Sequence, residues 1–333
     1  MHFLISGIHY RVYMKEIKLS TIAALTGFSV KHVSRALSGS GRVAPESRRL
    51  IQEAAQKLNY RKERAPTGRI AVISAFYFHW VEKVIDLLNQ RGLEGVFFRF
   101  EYINELPENL FDGAIAICSR DLLGHEWHRK FNIPLVLVHD YSVYSESISA
   151  VFGDFDADLR LAISHLAGLG HQRIVWFREN WAQHGKRFVD RGRQGFYTTA
   201  ARYGIEKESR IIDFYGASQL PGMLDNALNQ NCTAFIINLY RNYQSLIDFF
   251  NERAIRIPED VSLIVYDGDD TSGCTDPPLS ALRISYERIN ELAVNMLLEN
   301  SRAVQRPRQI AVPGVFIDRG STGNVKEAQW KKQ

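Results

Sequence analysis

Cysteine is scarce in this 333-residue sequence. Cys118, Cys232 and Cys274 stand far apart and form no CxxC or other ligand spacing. That excludes a disulfide framework or a zinc ribbon and points to a reduced, cytoplasmic protein. No run is long and apolar enough to span a membrane, and Phe3-Leu4-Ile5, with no base before it, is too short for a signal-peptide core. Enzyme signatures are missing too: there is no GxSxG, no HExxH and no P-loop. His125-Glu126-Trp127-His128 is one residue short of a zincin spacing. Asp267-Gly268-Asp269-Asp270 begins like a calcium loop, but the bidentate acid such a loop needs would fall on Pro278. No metal, no cofactor and no catalytic residue is expected. Aspartate is absent from residues 1–69, which carry thirteen Lys and Arg against four Glu, a net of +9. The remainder carries 28 bases and 33 acids, a net of −5. A basic head on a mildly acidic body is the footprint of a nucleic-acid module attached to something else.

The basic head contains one organising stretch, residues 19–37. It reads as two short helices around a tight turn. Ile22, Ala23 and Leu25 are expected to face inward on the first, Gly27 to make the turn and Phe28 to plug it. Ser29 is a good N-cap for the second helix, on which Val33 and Leu37, four apart, share the inner face. Val30, Lys31, His32, Ser34 and Arg35 are left facing out or lying along its N-terminal edge, with no acid among them. This is the layout of a helix-turn-helix, whose second helix enters the DNA major groove. An ordinary helical hairpin would not need such a face. A loop, Ser38 to Gly41, then leads to a third helix with Pro45 near its start and Leu50, Ile51, Ala54, Ala55 and Leu58 at helical spacing.

The run Thr-Ile-Ala-x-Leu-x-Gly-x-Ser, followed by Val-Ser-Arg-Ala-Leu, Gly-Arg-Val and Leu-Asn-Tyr, resembles the headpiece of the lactose-repressor (LacI/GalR) family. The resemblance continues through Asp-Gly-Ala-Ile at 112, Gly-His-Gln-Arg-Ile at 170, Ile-Pro-Glu-Asp-Val-Ser-Leu-Ile-Val-Tyr-Asp at 257 and Pro-Pro-Leu-Ser at 277, so it covers about residues 17–320. It implies an α/β protein with an N-terminal helix-turn-helix headpiece and two doubly wound parallel-sheet subdomains, similar to periplasmic binding proteins, around a small-molecule cleft. The expected boundaries are a disordered extension at 1–13 (with Met14 as the natural start), a headpiece at 14–60 and a linker at 61–69. An effector-binding and dimerisation domain follows at 70–320, then a tail at 321–333. Subdomain one would take 70–150 and 281–309, and subdomain two 151–280 and 310–320.

The residues of the body agree with an α/β unit independently of the resemblance. Short apolar runs without alternation, at 69–74, 95–98, 112–117 and 134–138, read as buried parallel strands, with an amphipathic helix over His79–Gln90. A second set follows: a helix at 159–166, strands at 174–177, 233–238 and 263–266, and helices at 193–203, 246–254 and 286–299. Tyr102 to Phe111 is too short for the extra helix the family has at that point, so the first subdomain is expected to be reduced.

Ligands of doubly wound units bind at the carboxyl ends of strands. That rule selects Ser74 to Tyr77, with Phe76 and Tyr77 as stacking rings, then His139, Asp140, Arg178, Asn238 and Asp267. Arg191 or Arg193 is added because the family's arginine, three residues before a Gly-Phe pair, falls here on Gly192 between them. Such a set suits a sugar or a similar polar metabolite. On the DNA side the expected contacts are Thr21, Ser29, Val30, Lys31, His32, Ser34 and Arg35, with Arg61 and Arg64 from a linker broken by Pro66. The expected protein is a repressor that binds a near-palindromic double-stranded operator as a homodimer, with an effector, in the cytoplasm and with no membrane partner. The competing readings are a soluble sugar-binding protein of transport, which lacks a reason for the basic head, and an enzyme on the same scaffold, for which no residue cluster speaks.

Overall fold

The computed structural model describes residues 18–38, 41–58, 66–75, 79–117, 133–138, 148–179, 192–238, 243–268, 270–302 and 307–325; the chain divides into two units, 1–65 and 66–333. The first holds three helices, α1 (Leu19–Thr26), α2 (Val30–Ser38) and α3 (Pro45–Lys57). Gly27, at φ 74°, ends α1 and returns its N–H to the Ala23 carbonyl at 2.9 Å. That left-handed position favours glycine. The Ser29 hydroxyl accepts the N–H of His32 at 3.3 Å, so it caps α2. Ile22, Ala23, Val33, Ala36, Ile51, Ala54 and Ala55 form the small core, with Phe28, Leu37 and Leu58 packed against it. One inward assignment needs correction: Leu25 is 61% exposed. Leu50, part of the apolar spacing of the third helix, is 43% exposed. Each lies at the side of its helix's apolar stripe, which is centred on Ile22–Ala23 in α1 and on Ile51–Ala54–Ala55 in α3.

The second unit is built on two sheets. One has the strand order β11-β5-β4-β3-β1-β2 and is wholly parallel. Its strands are β1 (Arg69–Ser74), β2 (Glu94–Arg99), β3 (Gly113–Ile117), β4 (Leu135–Val138), β5 (Ser149–Gly153) and β11 (Gln309–Val312). The other has the order β12-β10-β9-β8-β6-β7: β6 (Ile174–Glu179), β7 (Arg210–Phe214), β8 (Ala234–Asn238), β9 (Ser262–Asp267), β10 (Ser280–Arg283) and β12 (Val315–Ile317). Only β12 among these runs antiparallel. β1, β3 and β9 are buried almost throughout, which is why their sequences are apolar runs.

Helices α4 (His79–Gln90) and α9 (Tyr286–Arg302) cover one face of the first sheet, with Val81, Val84, Leu88, Ile289, Ala293 and Leu297 against Ile70, Val72 and Ile115. Its other face carries Ala71, Ala114 and Ala116, and these small residues let Phe100, Ile103, Leu106 and Phe111 approach. Those four come from two 3₁₀ turns, Phe100–Glu105 and Glu108–Leu110, and the residues just after each, in place of an α-helix. The second sheet lies between α5 (Phe155–Gly168) with α6 (Arg193–Arg202) on one face and α7 (Leu220–Asn229) with α8 (Tyr243–Glu252) on the other.

The chain crosses between the two lobes at Asp154, at Ile284–Ser285 and at Pro313–Gly314. The subdomain limits read from sequence therefore shift. Residues 151–153 and 310–312 pair in the first sheet, because β11 runs beside β5, and 281–283 belong to the second, because β10 pairs with β9. Residues 321–325, the start of the expected tail, are hydrogen-bonded to the body. The Ser321 hydroxyl donates to the Leu263 carbonyl at 2.6 Å, and the Val325 N–H donates to the Leu169 carbonyl at 3.0 Å, so this segment belongs to the second lobe. The expected extension at 1–13 lies outside the described residues.

Candidate DNA-reading surface and ligand cleft

The outward side of α2 presents Val30, Lys31 and Arg35 to solvent, flanked by exposed Thr21 and Ser29. Its first turn holds no acid. Arg49 on α3, in contrast, is held by Glu46 at 2.7 Å and Glu53 at 2.9 Å, and those acids raise its pKa further. Ser34 and His32 are half-buried. The His32 ring stacks on Phe28, centroids 5.0 Å apart at 17°, and its Nε2 is buried without a hydrogen-bond partner. His32 therefore faces back onto the turn, whereas Lys31 and Arg35 extend away from it. Arg61 and Arg64 lie outside the described residues, as do Phe76, Tyr77, His139, Asp140 and Arg191.

In the body, all three crossings leave from the carboxyl ends of strands, so hinge and cleft occupy the same edge of both sheets. Strand order reverses between β1 and β3 in one lobe and between β6 and β8 in the other; ligands of such sheets bind at these switch points. In the second lobe, Arg178 at the end of β6 is in register with Asn238 of β8 on one side and Asp213 of β7 on the other. Arg178 and Asp213 form a bidentate pair, Nε to Oδ1 at 2.6 Å and Nη2 to Oδ2 at 2.9 Å. The guanidinium also lies 5.3 Å from the centroid of the Trp176 ring. In the first lobe, Ser74 ends β1 at its switch point, and its hydroxyl is buried with no hydrogen-bond partner.

Strand alternation separates Asp267 from this row. Arg178, Asp213 and Asn238 lie on the α5–α6 face, with Trp176 and Ile236, whereas Asp267 follows Leu263 and Val265 onto the α7–α8 face. Asp267 is 2% exposed, and its carboxylate accepts the Ser272 N–H at 2.8 Å and the Ser272 hydroxyl. Ser272 Oγ in turn accepts Arg319 Nη1 at 3.0 Å, and Arg319 pairs with Asp270. Asp267 and Asp270, two of the acids that resemble the start of a calcium loop, are thus engaged by protein groups, while Asp269 lies outside the described residues; no cluster able to hold a metal occurs among the described residues. Arg193, first residue of α6, is exposed, its guanidinium 5.9 Å from the Tyr197 ring. Asp213 and the aromatic pair Trp80–Tyr286, whose centroids are 4.3 Å apart, escaped the sequence reading. Strand-end logic finds Asp213 only once β7 is known; the aromatic pair has no sequence signal.

A helix-turn-helix with an exposed basic face, on the same chain as a two-lobed body with polar groups at its switch points, defines a ligand-responsive DNA-binding transcription regulator. Residues 18–63 match the family described as bacterial regulatory proteins, lacI family, and residues 163–322 match the periplasmic binding protein-like domain. The sequence is similar to the HTH-type transcriptional regulator MalR of Streptomyces coelicolor, 27% identical over 343 residues, 92% of this chain and 97% of that one. It is 22% identical to the lactose operon repressor of Escherichia coli over 93% of this chain and 91% of that one. In fold it is similar to a complex of the transcriptional regulator CelR with cellobiose (TM-score 0.64, 21% identity, 92% of this chain and 99% of that one). The lac repressor dimer bound to operator and the anti-inducer ONPF is similar as well (TM-score 0.65, 19% identity, 93% and 100%). The headpiece thus carries the lacI-family match, and along most of its length the chain is similar to transcription regulators of the lactose-repressor family. No helix among its described residues is long and apolar enough to cross a membrane.

Proposed function

We propose that this protein is a cytoplasmic, homodimeric repressor, not an enzyme, which binds a near-palindromic operator and responds to a small polar effector between its lobes. The exposed, acid-free face of α2, with Lys31 and Arg35 leading from a capped N-terminus, carries this reading. One headpiece reads one half-site, so two copies are needed for a near-palindrome. In the effector cleft, Arg178, Asp213 and Asn238 supply donors and acceptors in one row, which suits hydroxyls, and Ser74 offers a buried hydroxyl at the switch point of the other lobe. Relatives solved with cellobiose and with ribose support a sugar. The effector acts by changing the lobe angle, a coupling free energy between two sites.

Selection from random double-stranded DNA with the full chain tests the first half. A near-palindromic site should emerge, and Arg35→Ala should bind it more weakly. No enriched site would leave a soluble sugar-binding protein as the better reading. A thermal-shift screen of neutral mono- and disaccharides tests the second half, since a ligand of the native state raises its melting temperature.

A further inference from the structure

The three crossings between the lobes converge on one buried side chain. At the edge of the first sheet the Asp154 N–H donates to the Val312 carbonyl at 2.8 Å, so the first and third crossings leave together. Asp154 then caps α5, accepting the Ala157 N–H at 3.0 Å. One turn on, Asp158 is 1% exposed, and its Oδ1 accepts the Gly314 N–H at 2.7 Å. Gly314 fits between that carboxylate and the carbonyl of Arg283, where the second crossing begins. A Cβ on Gly314 would sit 2.7 Å from the Arg283 oxygen and 3.0 Å from Asp158 Oδ1. The Ser285 hydroxyl, in the second crossing, donates to the Pro313 carbonyl in the third at 3.4 Å.

We propose that Asp158 is a positioning residue for regulation: through Gly314 it pins the third crossing to the second lobe and limits the lobe angles the protein adopts. The proposal rests on the reading that lobe angle carries the effector's signal. A buried carboxylate is a costly group for closing a loop, since burying it away from water is compensated here by one backbone donor. Asp154 nearby disfavours the charge and Arg160 offsets it only in part, so the Asp158 pKa is pushed up to about 7, chiefly by burial. The remaining advantage is rigidity: one acceptor holds a chain segment whose glycine leaves no room for anything else.

The test uses the full-length chain without effector. Spin labels at exposed Gln90 and Lys207 report the distance between lobes, with Cys118 and Cys274 replaced by serine and labelled chain diluted in unlabelled chain. Amide exchange at Gly314 reports the bond itself. Asp158→Ala should make that amide exchange about tenfold faster, the factor expected for one lost hydrogen bond, and should broaden the distance distribution. Asp158→Asn keeps an acceptor oxygen and should restore both readouts. Should Asp158→Ala fail to fold, Gly314→Ala displaces the same segment from the Arg283 carbonyl and should broaden the distribution. A distribution as narrow as wild type in Asp158→Ala or Gly314→Ala overturns the proposal, even if exchange at Gly314 accelerates. Broadened lobes with unaltered operator affinity would support the pin and overturn the reading that lobe angle carries the signal.

Discussion

Gly268, at the end of β9 in the second lobe, lies directly against the ring of Tyr286, the first residue of α9 in the first lobe, so that a Cβ at 268 would run into the ring edge. Trp80 of α4 packs on the same ring, tilted by 33°. The two lobes thus meet through an aromatic ring seated on a bare backbone, close to the strand ends where the effector is proposed to bind.

Gly268→Ala should therefore cost about 1–3 kcal/mol, the usual range for overpacking, and force the lobes apart. Tyr286→Ala should remove most of that cost when combined with it. A double-mutant cycle by urea unfolding of the four proteins measures the coupling. If the alanine at 268 costs the same with and without the Tyr286 ring, packing against that ring is not what requires glycine there.

On the DNA side, Arg35 is exposed on α2 and extends away from the turn. Arg35→Ala should weaken operator binding by about 1–3 kcal/mol if it reaches a base edge. Val30→Ala should alter half-site preference without altering the fold, since an apolar side chain at that exposed position suits a thymine methyl. His32→Ala should act through stability instead, because its ring packs on Phe28. Melting curves alongside operator titrations separate these roles: a normal melting temperature with weakened affinity for His32→Ala would assign that residue to DNA.

The elements legible in the sequence are those with a strong period or a long apolar run, such as His79–Gln90 and the strands ending at Ser74 and Asp267. β7, with the sequence Arg-Ile-Ile-Asp-Phe, is not legible, because charges interrupt it and it pairs only as a sheet edge. With it goes Asp213, and so the partner that holds Arg178. α7 has Pro221 and Gly222 in its first turn, which favour a turn on local chemistry alone. The face on which Asp267 lies follows from alternation along β9, yet its partner Ser272 does not follow from a strand-end rule. Asp158 is illegible as well: its role depends on Gly314, distant in sequence by 156 residues.

Asp267 is expected at the effector by its place at a strand end. Its burial and its two bonds to Ser272 favour a local structural role instead. Asp267→Asn should lower stability by about 1–3 kcal/mol, the cost of weakening a charged buried hydrogen bond, while leaving affinity for a sugar found by the screen nearly unchanged. Arg178→Gln should do the reverse to affinity. Titration calorimetry on both variants decides; an Asp267→Asn protein of normal stability that no longer binds the sugar would return Asp267 to the site.

Stability should respond to pH through two buried groups of opposite sign. Burial raises Asp158 to about 7, above its ordinary range, so between about pH 4 and 7 the folded state holds a proton that the unfolded state has released. Stability from this group is fullest at low pH and falls as pH rises to 7, by at most about 4 kcal/mol. His171 is lowered to about 4, mainly by burial among Thr233, Ser262 and Gly323. Its contribution is fullest above about pH 6.5 and is lost as pH falls towards 4. The two slopes oppose each other, so the wild-type profile should be shallow. Asp158→Asn removes the first alone. Its stability relative to wild type should rise steadily from pH 4.5 to pH 7.5 in urea unfolding. A difference constant across that range would show that Asp158 is ionised in the folded protein throughout.

The linker carries the last prediction, from its chemistry alone, since residues 61–65 lie outside the described residues. Members of this family usually follow Asn-Tyr with a short helix that forms on operator and wedges a leucine into the minor groove at the centre of the site. Such wedges unstack a base step and kink the duplex. Here Asn59-Tyr60 is followed by nine residues, 61–69, before the apolar run of β1, and their only apolar side chains are Ala65 and Pro66. Pro66 interrupts a helix, and Arg61, Lys62, Arg64 and Arg69 bring charge in place of the leucine. Within the described part, Arg69 already pairs with Glu94 at 2.6 Å, which leaves Arg61, Lys62 and Arg64 for phosphates or for a narrow minor groove. Operator bending should therefore be mild, and affinity should fall steeply with salt, because ionic contacts release counterions where a wedge would not. Replacing Arg61 and Arg64 by alanine should flatten the salt dependence, by roughly one in the logarithmic slope for each phosphate no longer neutralised. Energy transfer across the operator measures the bend. A sharp central kink that disappears when Ala65 or Pro66 is changed, and survives removal of the arginines, would mean that this linker wedges the duplex open without a leucine.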